Sequence, residues 1–342
     1  MTDNDRFHFY HGKRILVTGG AGYLASNLVR LLQDVDCHIT RLDRPNATFE
    51  SFSGKAHIMD ICADVTYNDF WKNVIPEADI IFHFAAQTSA RLSNEQPLLD
   101  LSINVLPLLC ILEECRCRSK NVIVLFAGTV TEAGLTTMLP VNESHRDRPI
   151  TVYDIHKLTA EKYVEFYTEM GFIRGAVLRL SNVYGPGPSS SSADRGILNG
   201  MILKALKGES LTVYERGEWM RDYLFVEDAA EAFLSAGKHI DSVKGQHFVV
   251  GSGQGHSLHD AFHLVADRVA AIMGQRVEVI QVPPPPSLLP IEARHFVADS
   301  SKFKSATGWF ARYFLKEGID RTIEHYLKNP FDTKRQSRNE NR

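Results

Sequence analysis

The chain has 342 residues, 38 Lys+Arg against 41 Asp+Glu, and a formal net charge of −3. That length suggests one large unit or two modest ones, and 44% apolar with 23% charged residues excludes wholesale disorder. Balanced charge supplies no basic footprint for nucleic acid, and no apolar run reaches the ~20 residues of a spanning helix, so neither nucleic acid nor membrane is expected as a partner.

The polar amino end, Met1 to Lys13, lacks the apolar core of a signal peptide, so export is not expected. The five cysteines, Cys37, Cys62, Cys110, Cys115 and Cys117, are odd in number and gathered near the first third of the chain. That is a poor disulfide framework and suits a reducing cytoplasmic setting. Cys115-Arg-Cys117 lacks a second Cys/His pair at ligand spacing, so no metal is expected and the thiols read as residues of a helix.

A β-branched run at 13–18 ends at a glycine cluster, and Leu24, Leu28, Leu31 and Leu32 then follow a helical period. Further strand-like runs lie at 38–43, 80–84, 122–126 and 177–180, with helical stretches around 98–117 and 152–170. Buried-type strands alternating with helices predict an α/β fold with a doubly wound parallel sheet. Residues 1–182 are expected to form that sheet unit. Residues 183–329 are expected to form mainly a smaller carboxyl-terminal α/β unit, with a strand near 246–250 returning to the large sheet. Gly185-Pro186-Gly187-Pro188 and Ser189–Ser192 read as a loop, Pro283 to Pro286 as an extended segment, and 330–342 as a polar, disordered tail.

Thr18-Gly19-Gly20-Ala21-Gly22-Tyr23-Leu24-Ala25 joins the first strand to a helix. Gly19 permits the tight turn, Gly22 lets the backbone approach a pyrophosphate on the helix amino end, and Ala25 allows close helix–strand packing. Asp43 lies 24 residues beyond Gly19, at the end of the second strand. A carboxylate there bonds a ribose diol and repels a 2′-phosphate, which favours NAD over NADP, although Arg41 and Arg44 flank it. Tyr153 and Lys157 stand at i and i+4 on a predicted helix, where the ammonium favours the tyrosinate needed for proton transfer. Thr129 follows a buried strand and would emerge at the sheet's carboxyl edge, where open α/β sheets bind ligands.

These residues, with His83-Phe84-Ala85-Ala86 and Arg179-Leu180-Ser181-Asn182-Val183-Tyr184-Gly185-Pro186-Gly187, resemble the extended short-chain dehydrogenases/reductases. The group matched is the NAD-dependent nucleotide-sugar epimerases and dehydratases, UDP-glucose 4-epimerase-like enzymes with a Rossmann sheet. The resemblance runs from about Lys13 to Asn329. It implies that Gly19, Gly22, Tyr23, Leu24, Asp43, Asp60, Ile61, Ala85, Ala86, Gln87, Asn104, Tyr153 and Lys157 bind NAD, with Asp60 and Ile61 at the adenine. It further implies Thr129, Tyr153 and Lys157 as catalytic residues, and Thr131, Asn182, Arg221 and Arg294 as contacts to a nucleotide diphosphate sugar. His83, within an apolar strand, reads as a satisfied core histidine.

Dehydratases of that group carry Thr-Asp-Glu where this chain has Thr129-Val130-Thr131, and Glu132 falls one residue late. The resemblance therefore points to an epimerase, at C4, working by transient oxidation to a 4-keto sugar and hydride return. The alternatives are an NAD(P)H-dependent 4-ketosugar reductase, an epimerase at another carbon, or an NAD(P)-sensing scaffold, which the Tyr/Lys pair disfavours. Pro107 is expected to interrupt or restart the helix after Asn104. A cytoplasmic homodimer, formed through the helices that begin near Leu99 and Tyr153, is implied by the same resemblance.

Overall fold

In a computed structural model, residues 7–65, 71, 72, 74–118, 121–188 and 196–329 are described. The serine run and the carboxyl-terminal tail singled out above lie outside them. Seven strands form one parallel sheet: β1 (Arg14–Thr18), β2 (His38–Asp43), β3 (His57–Cys62), β4 (Ile80–His83), β5 (Ile123–Thr129), β6 (Arg174–Leu180) and β10 (His247–Val250). Their order is β10-β6-β5-β4-β1-β2-β3, so β1 lies near the middle and the chain reverses direction of travel between β1 and β4. That is the Rossmann arrangement, and the crevice outside the carboxyl ends of β1 and β4 is its ligand site.

Period-two alternation buries both faces. Ile15 and Val17 of β1 point to one core with Leu28 and Val29 of α1 (Tyr23–Leu32), and Leu16 points to the other. The second face is covered by α4 (Leu106–Arg118) and α5 (Val152–Glu169), through Leu108, Leu112, Ala160 and Val164. Two short helices, α2 (Ala90–Glu95) and α3 (Pro97–Asn104), precede α4. The break at Val105 follows from Pro107, which has no N–H for the ladder, so α4 starts afresh.

β3 carries no clear strand signal in the sequence because it is an edge strand: four of its six side chains are exposed or nearly so, and no apolar run marks it. Beyond β6, β7 (Asn182–Tyr184), β9 (Met220–Phe225) and β11 (Gly255–Ser257) form a three-stranded sheet, and β8 (Leu211–Tyr214) pairs with β12 (Val279–Val282). A second core lies between these strands and helices α6 (Ile197–Leu206), α8 (Leu258–Met273) and α9 (Leu315–Lys328), through Leu198, Ile202, Phe262 and Ile319. Helix α7 (Val226–Lys238) does not belong to that core. Its Ala229, Ala230 and Phe233 pack with α1 residues under the large sheet, next to β10, so the stretch 226–250 returns as a helix plus a strand. The proline run is not extended throughout: the Leu288 N–H closes a turn onto the Pro285 carbonyl (3.0 Å).

Candidate functional site

The loop after β1 is shaped for an anion. Gly19 has φ +66°, and a Cβ there would stand 2.8 Å from the Ala85 nitrogen, so the loops after β1 and β4 touch at the crevice. Gly22, before α1, has no side chain to cap the first helical turn, which leaves the helix amino end to a ligand. Asp43, at the end of β2, reaches this loop: its carboxylate accepts the Ala21 N–H (3.0 Å) and the Arg44 N–H (2.8 Å).

Two neighbouring residues are held by contacts within the chain. Arg41 is not poised for a 2′-phosphate. It is buried, paired with Asp60 (2.7 and 2.9 Å), bonded to the Glu50 carbonyl (2.8 Å) and covered by the rings of Phe49 and Phe52. By the same geometry both carboxylate oxygens of Asp60 accept from Arg41. Tyr23 is held across the crevice. Its hydroxyl donates to the Gly185 carbonyl (2.8 Å) and its ring meets Gly187, tying the phosphate loop to the loop after β7. Leu24 follows it into the sheet-facing core.

The loop after β4, carrying Ala85, Ala86 and Gln87, is held from below. Asn104 bonds both the N–H (3.1 Å) and the carbonyl (3.0 Å) of Gln87, and Asp100 receives Gln87 (2.7 Å), Asn104 (2.9 Å) and His156 Nδ1 (2.6 Å). The Asn104 amide thus braces this loop. His83 sits under the loop, 1% exposed, and Thr18 Oγ1 lies 2.8 Å from its Nδ1. Because that oxygen accepts the N–H groups of Phe84 and Ala85, its own proton goes to Nδ1. His83 is therefore a core histidine that is only half satisfied: Nε2 is buried with no hydrogen-bond partner. Burial, and secondarily the Lys157 charge, push its pKa down to about 3.

Thr129 ends β5, and Tyr153 and Lys157 open α5, which packs against β5 and the turn beyond it. Thr151 caps α5 and Ser93 accepts the Tyr153 N–H (3.0 Å), fixing where the tyrosine emerges. All three residues are buried. The Lys157 ammonium lies 4.0 Å from the Phe126 ring centroid. Burial pulls its pKa down to about 8, against the opposing pull of Glu132, Asp100 and Glu161. Glu132 does not face the crevice: one oxygen accepts the Thr129 N–H (3.1 Å) and the other meets Arg179 (3.0 Å). Arg179 also holds Glu161 (2.6 and 2.8 Å) and Asp147 (2.5 and 3.1 Å), a buried cluster that locks β6, α5 and the Thr129 turn together.

On the three-stranded sheet, register puts Asn182, Tyr223, Arg221 and His256 on one face. Arg221 is 4% exposed and donates to the carbonyls of Glu292 (2.6 Å) and Arg294 (2.5 Å), while Arg294 reaches Asn182 (3.4 Å). Two further groups lie beside those arginines: the Tyr223 hydroxyl, in the Arg221-Asp222-Tyr223 run that the family resemblance includes, and His256 Nε2, which the sequence did not mark; both are buried without hydrogen-bond partners. Only the β9–β11 pairing brings His256 to this face. Two guanidinium groups among donors with spare capacity form a face suited to phosphate oxygens.

Residues 15–251 match the NAD dependent epimerase/dehydratase family. The chain belongs to this family. It is 31% identical over 317 residues to a putative UDP-glucose 4-epimerase of Methanocaldococcus jannaschii, covering 92% of this chain and 98% of that protein. Among solved structures, the Thermus thermophilus UDP-glucose 4-epimerase in complex with NAD is 29% identical with a TM-score of 0.79, covering 92% of this chain and 99% of that one. The Thermotoga maritima UDP-glucose 4-epimerase with UDP-glucose is 26% identical with a TM-score of 0.83, covering 93% and 99%.

The protein is thus an NAD-dependent enzyme of the epimerase class, with NAD as its cofactor. The residues fit that group: an uncapped helix end and a glycine turn suit a pyrophosphate, and the Asp43 carboxylate at the end of β2 suits a ribose diol. Among the described residues no helix is long and apolar enough to cross a membrane. Glu161, Glu165 and His247 converge behind the site, but Lys162 (2.8 Å from Glu165) and Arg179 already supply their countercharge.

Proposed function

We propose that this enzyme epimerises a nucleotide diphosphate sugar at C4. The observation that carries the reading is the turn after β5. It presents the hydroxyls of Thr129 and Thr131, which bond each other, while its carboxylate, Glu132, is bound to the Thr129 N–H and to Arg179. Elimination of water needs an acid and a base in that turn, whereas oxidation and re-reduction at one carbon need only a proton acceptor at the hydroxyl.

Bound NAD supplies a reversible hydride acceptor. Tyr153, as phenolate beside the Lys157 ammonium, takes the proton of the sugar hydroxyl with Thr129 hydrogen-bonded to the same oxygen, and returns it after the sugar has turned. Arg221, Arg294 and Asn182 hold the diphosphate during that turn. The cofactor lies on residues 1–182 and the sugar nucleotide between that unit and 183–329.

The enzyme acts as a cytoplasmic homodimer. Supporting this are five free cysteines and a set of exposed apolar side chains on adjoining helices: Leu98, Leu99, Leu106, Ile155 and Phe166. Gel filtration of the purified chain at monomer mass would refute the dimer.

The reading is tested by incubation with UDP-, GDP-, CDP- and dTDP-sugars, following product stereochemistry by NMR. Inversion at C4 without net change in reduced-cofactor absorbance is expected. Stoichiometric consumption of NADH or NADPH with a 4-keto sugar would instead make it a reductase. Tyr153→Phe is expected to lose turnover by at least ~100-fold while retaining NAD; an undiminished rate overturns the assignment.

A further inference from the structure

Beside the Tyr/Lys pair, α5 carries a third polar group. His156 and Lys157 stand at i+3 and i+4 from Tyr153, so both neighbour it on the helix surface. His156 Nδ1 lies 2.6 Å from one oxygen of Asp100 on α3, a helix that packs along α5. The other Asp100 oxygen accepts the side-chain amides of Gln87 (2.7 Å) and Asn104 (2.9 Å). Those amides have no proton to spare. Gln87 Nε2 also donates to the Ser89 carbonyl (2.8 Å), and Asn104 Nδ2 to the Gln87 carbonyl (3.0 Å). The Asp100 side chain is 1% exposed and that of His156 14%. The bond between them stands whichever holds the shared proton, since each can donate to the other. Two side chains thus tie α5 to the loop Ala85–Gln87.

We propose that His156 and Asp100 are positioning residues for hydride transfer: their tie sets the spacing between the Tyr153/Lys157 face of α5 and the loop that lines the cofactor. This rests on the reading of Tyr153 as proton acceptor and of Ala85–Gln87 as the cofactor-lining loop, and it deepens that reading. Hydride transfer needs the reacting atoms in near-contact, and a misplacement of about 1 Å can cost about 100-fold in rate. The proton acceptor sits on α5, whereas the loop after β4 lines the cofactor, so helix and loop must be registered against each other. Asn104 holds the loop through the backbone of Gln87, and Ser93 holds the first turn of α5. Those bonds survive without His156. Loss of the tie therefore leaves the cofactor bound and lets its loop shift against the helix that carries Tyr153.

The test uses His156→Ala, Asp100→Ala, their double variant, His156→Asn and Asp100→Asn. Each is titrated with NAD by fluorescence. Each is also assayed with UDP-glucose, or with whichever sugar nucleotide of the panel above the wild-type chain turns over, carrying protium or deuterium at C4. His156→Ala is expected to lower kcat by about 10- to 100-fold while NAD affinity holds, and to enlarge the deuterium isotope effect on kcat. The double variant should fall no further than the single ones. His156→Asn offers an amide N–H in place of the ring, and Asp100→Asn keeps an oxygen for the two amides and an N–H for His156. Both should recover most of the rate. Should Asp100→Ala fail to fold, His156→Ala and His156→Asn decide by themselves. The inference is overturned if His156→Ala keeps the wild-type rate, if it loses NAD affinity as much as rate, or if His156→Asn fails to rescue it. In each of those cases an inactive Tyr153→Phe leaves the epimerase reading intact. A wild-type chain that turns over no nucleotide sugar refutes both.

Discussion

Replacing Arg179 with methionine should cost more stability than any loss of packing explains. The side chain is 4% exposed, and it neutralises Glu161 and Glu132, each fully buried, together with the partly exposed Asp147. Methionine fills a similar volume, so the cavity contribution is small, and the cost comes from carboxylates left in low dielectric. Removing one partner of a buried ion pair typically costs about 3–5 kcal/mol, a large share of the ~5–15 kcal/mol that holds most domains folded.

The cost should also depend on pH in a particular direction. Glu132 is already held above the ordinary carboxylate pKa by burial and by Glu161, with Arg179 pulling the other way. Without Arg179, Glu132 would bind its proton still more tightly folded than unfolded. A group with a raised folded pKa adds stability below its unfolded value, about 4.3 for Glu, and loses it as pH rises toward the folded value. The deficit of the variant should therefore be larger at pH 8 than at pH 5.5. Urea unfolding followed by circular dichroism at the two pH values measures this. A deficit under ~1 kcal/mol at pH 8, or one that grows on acidification, would refute the electrostatic account.

Gly19→Ala should weaken NAD binding at least ~10-fold in a fluorescence titration, since φ +66° disfavours a side chain and its Cβ would meet Ala85; unchanged affinity would show that the loop is not the pyrophosphate site. Turnover should fall above pH about 8, where Lys157 loses the proton that stabilises the tyrosinate; a profile flat to pH 10 contradicts that role. His83, with its pKa near 3, should stay neutral from pH 8 to pH 5 by NMR. The unfolded imidazole titrates near ~6.5, so acidification to pH 5 should cost about 2 kcal/mol of stability through this residue. A His83 titration near neutrality would show that the ring is reached by water.

Most of the large sheet was legible in the chain because β1, β4, β5 and β6 are buried on both faces and so appear as compact apolar runs. The glycine turn, Asp43, and the Tyr153/Lys157 spacing were legible for a related reason: each is local, and its chemistry depends on neighbours within a few residues or at one strand end. β3 was not legible, because an edge strand has no second face to bury. The return of α7 to the large sheet was not legible either, since its amphipathic pattern specifies a buried face and not the partner that buries it.

The same limit governed the site. The sequence places Arg41, Asp60, Asn104 and Tyr23 by position, and only tertiary contacts show what each one meets within the chain. Arg41 spends its charge on Asp60, Asn104 its amide on Gln87, and Tyr23 its hydroxyl on Gly185. The tie from Gln87 through Asp100 to His156 joins a strand-end loop to two helices, and its last bond spans 56 residues. Residue identity determines which groups can donate or accept a proton. Which of them meet, and hence which way each proton points, is settled only when distant segments pack.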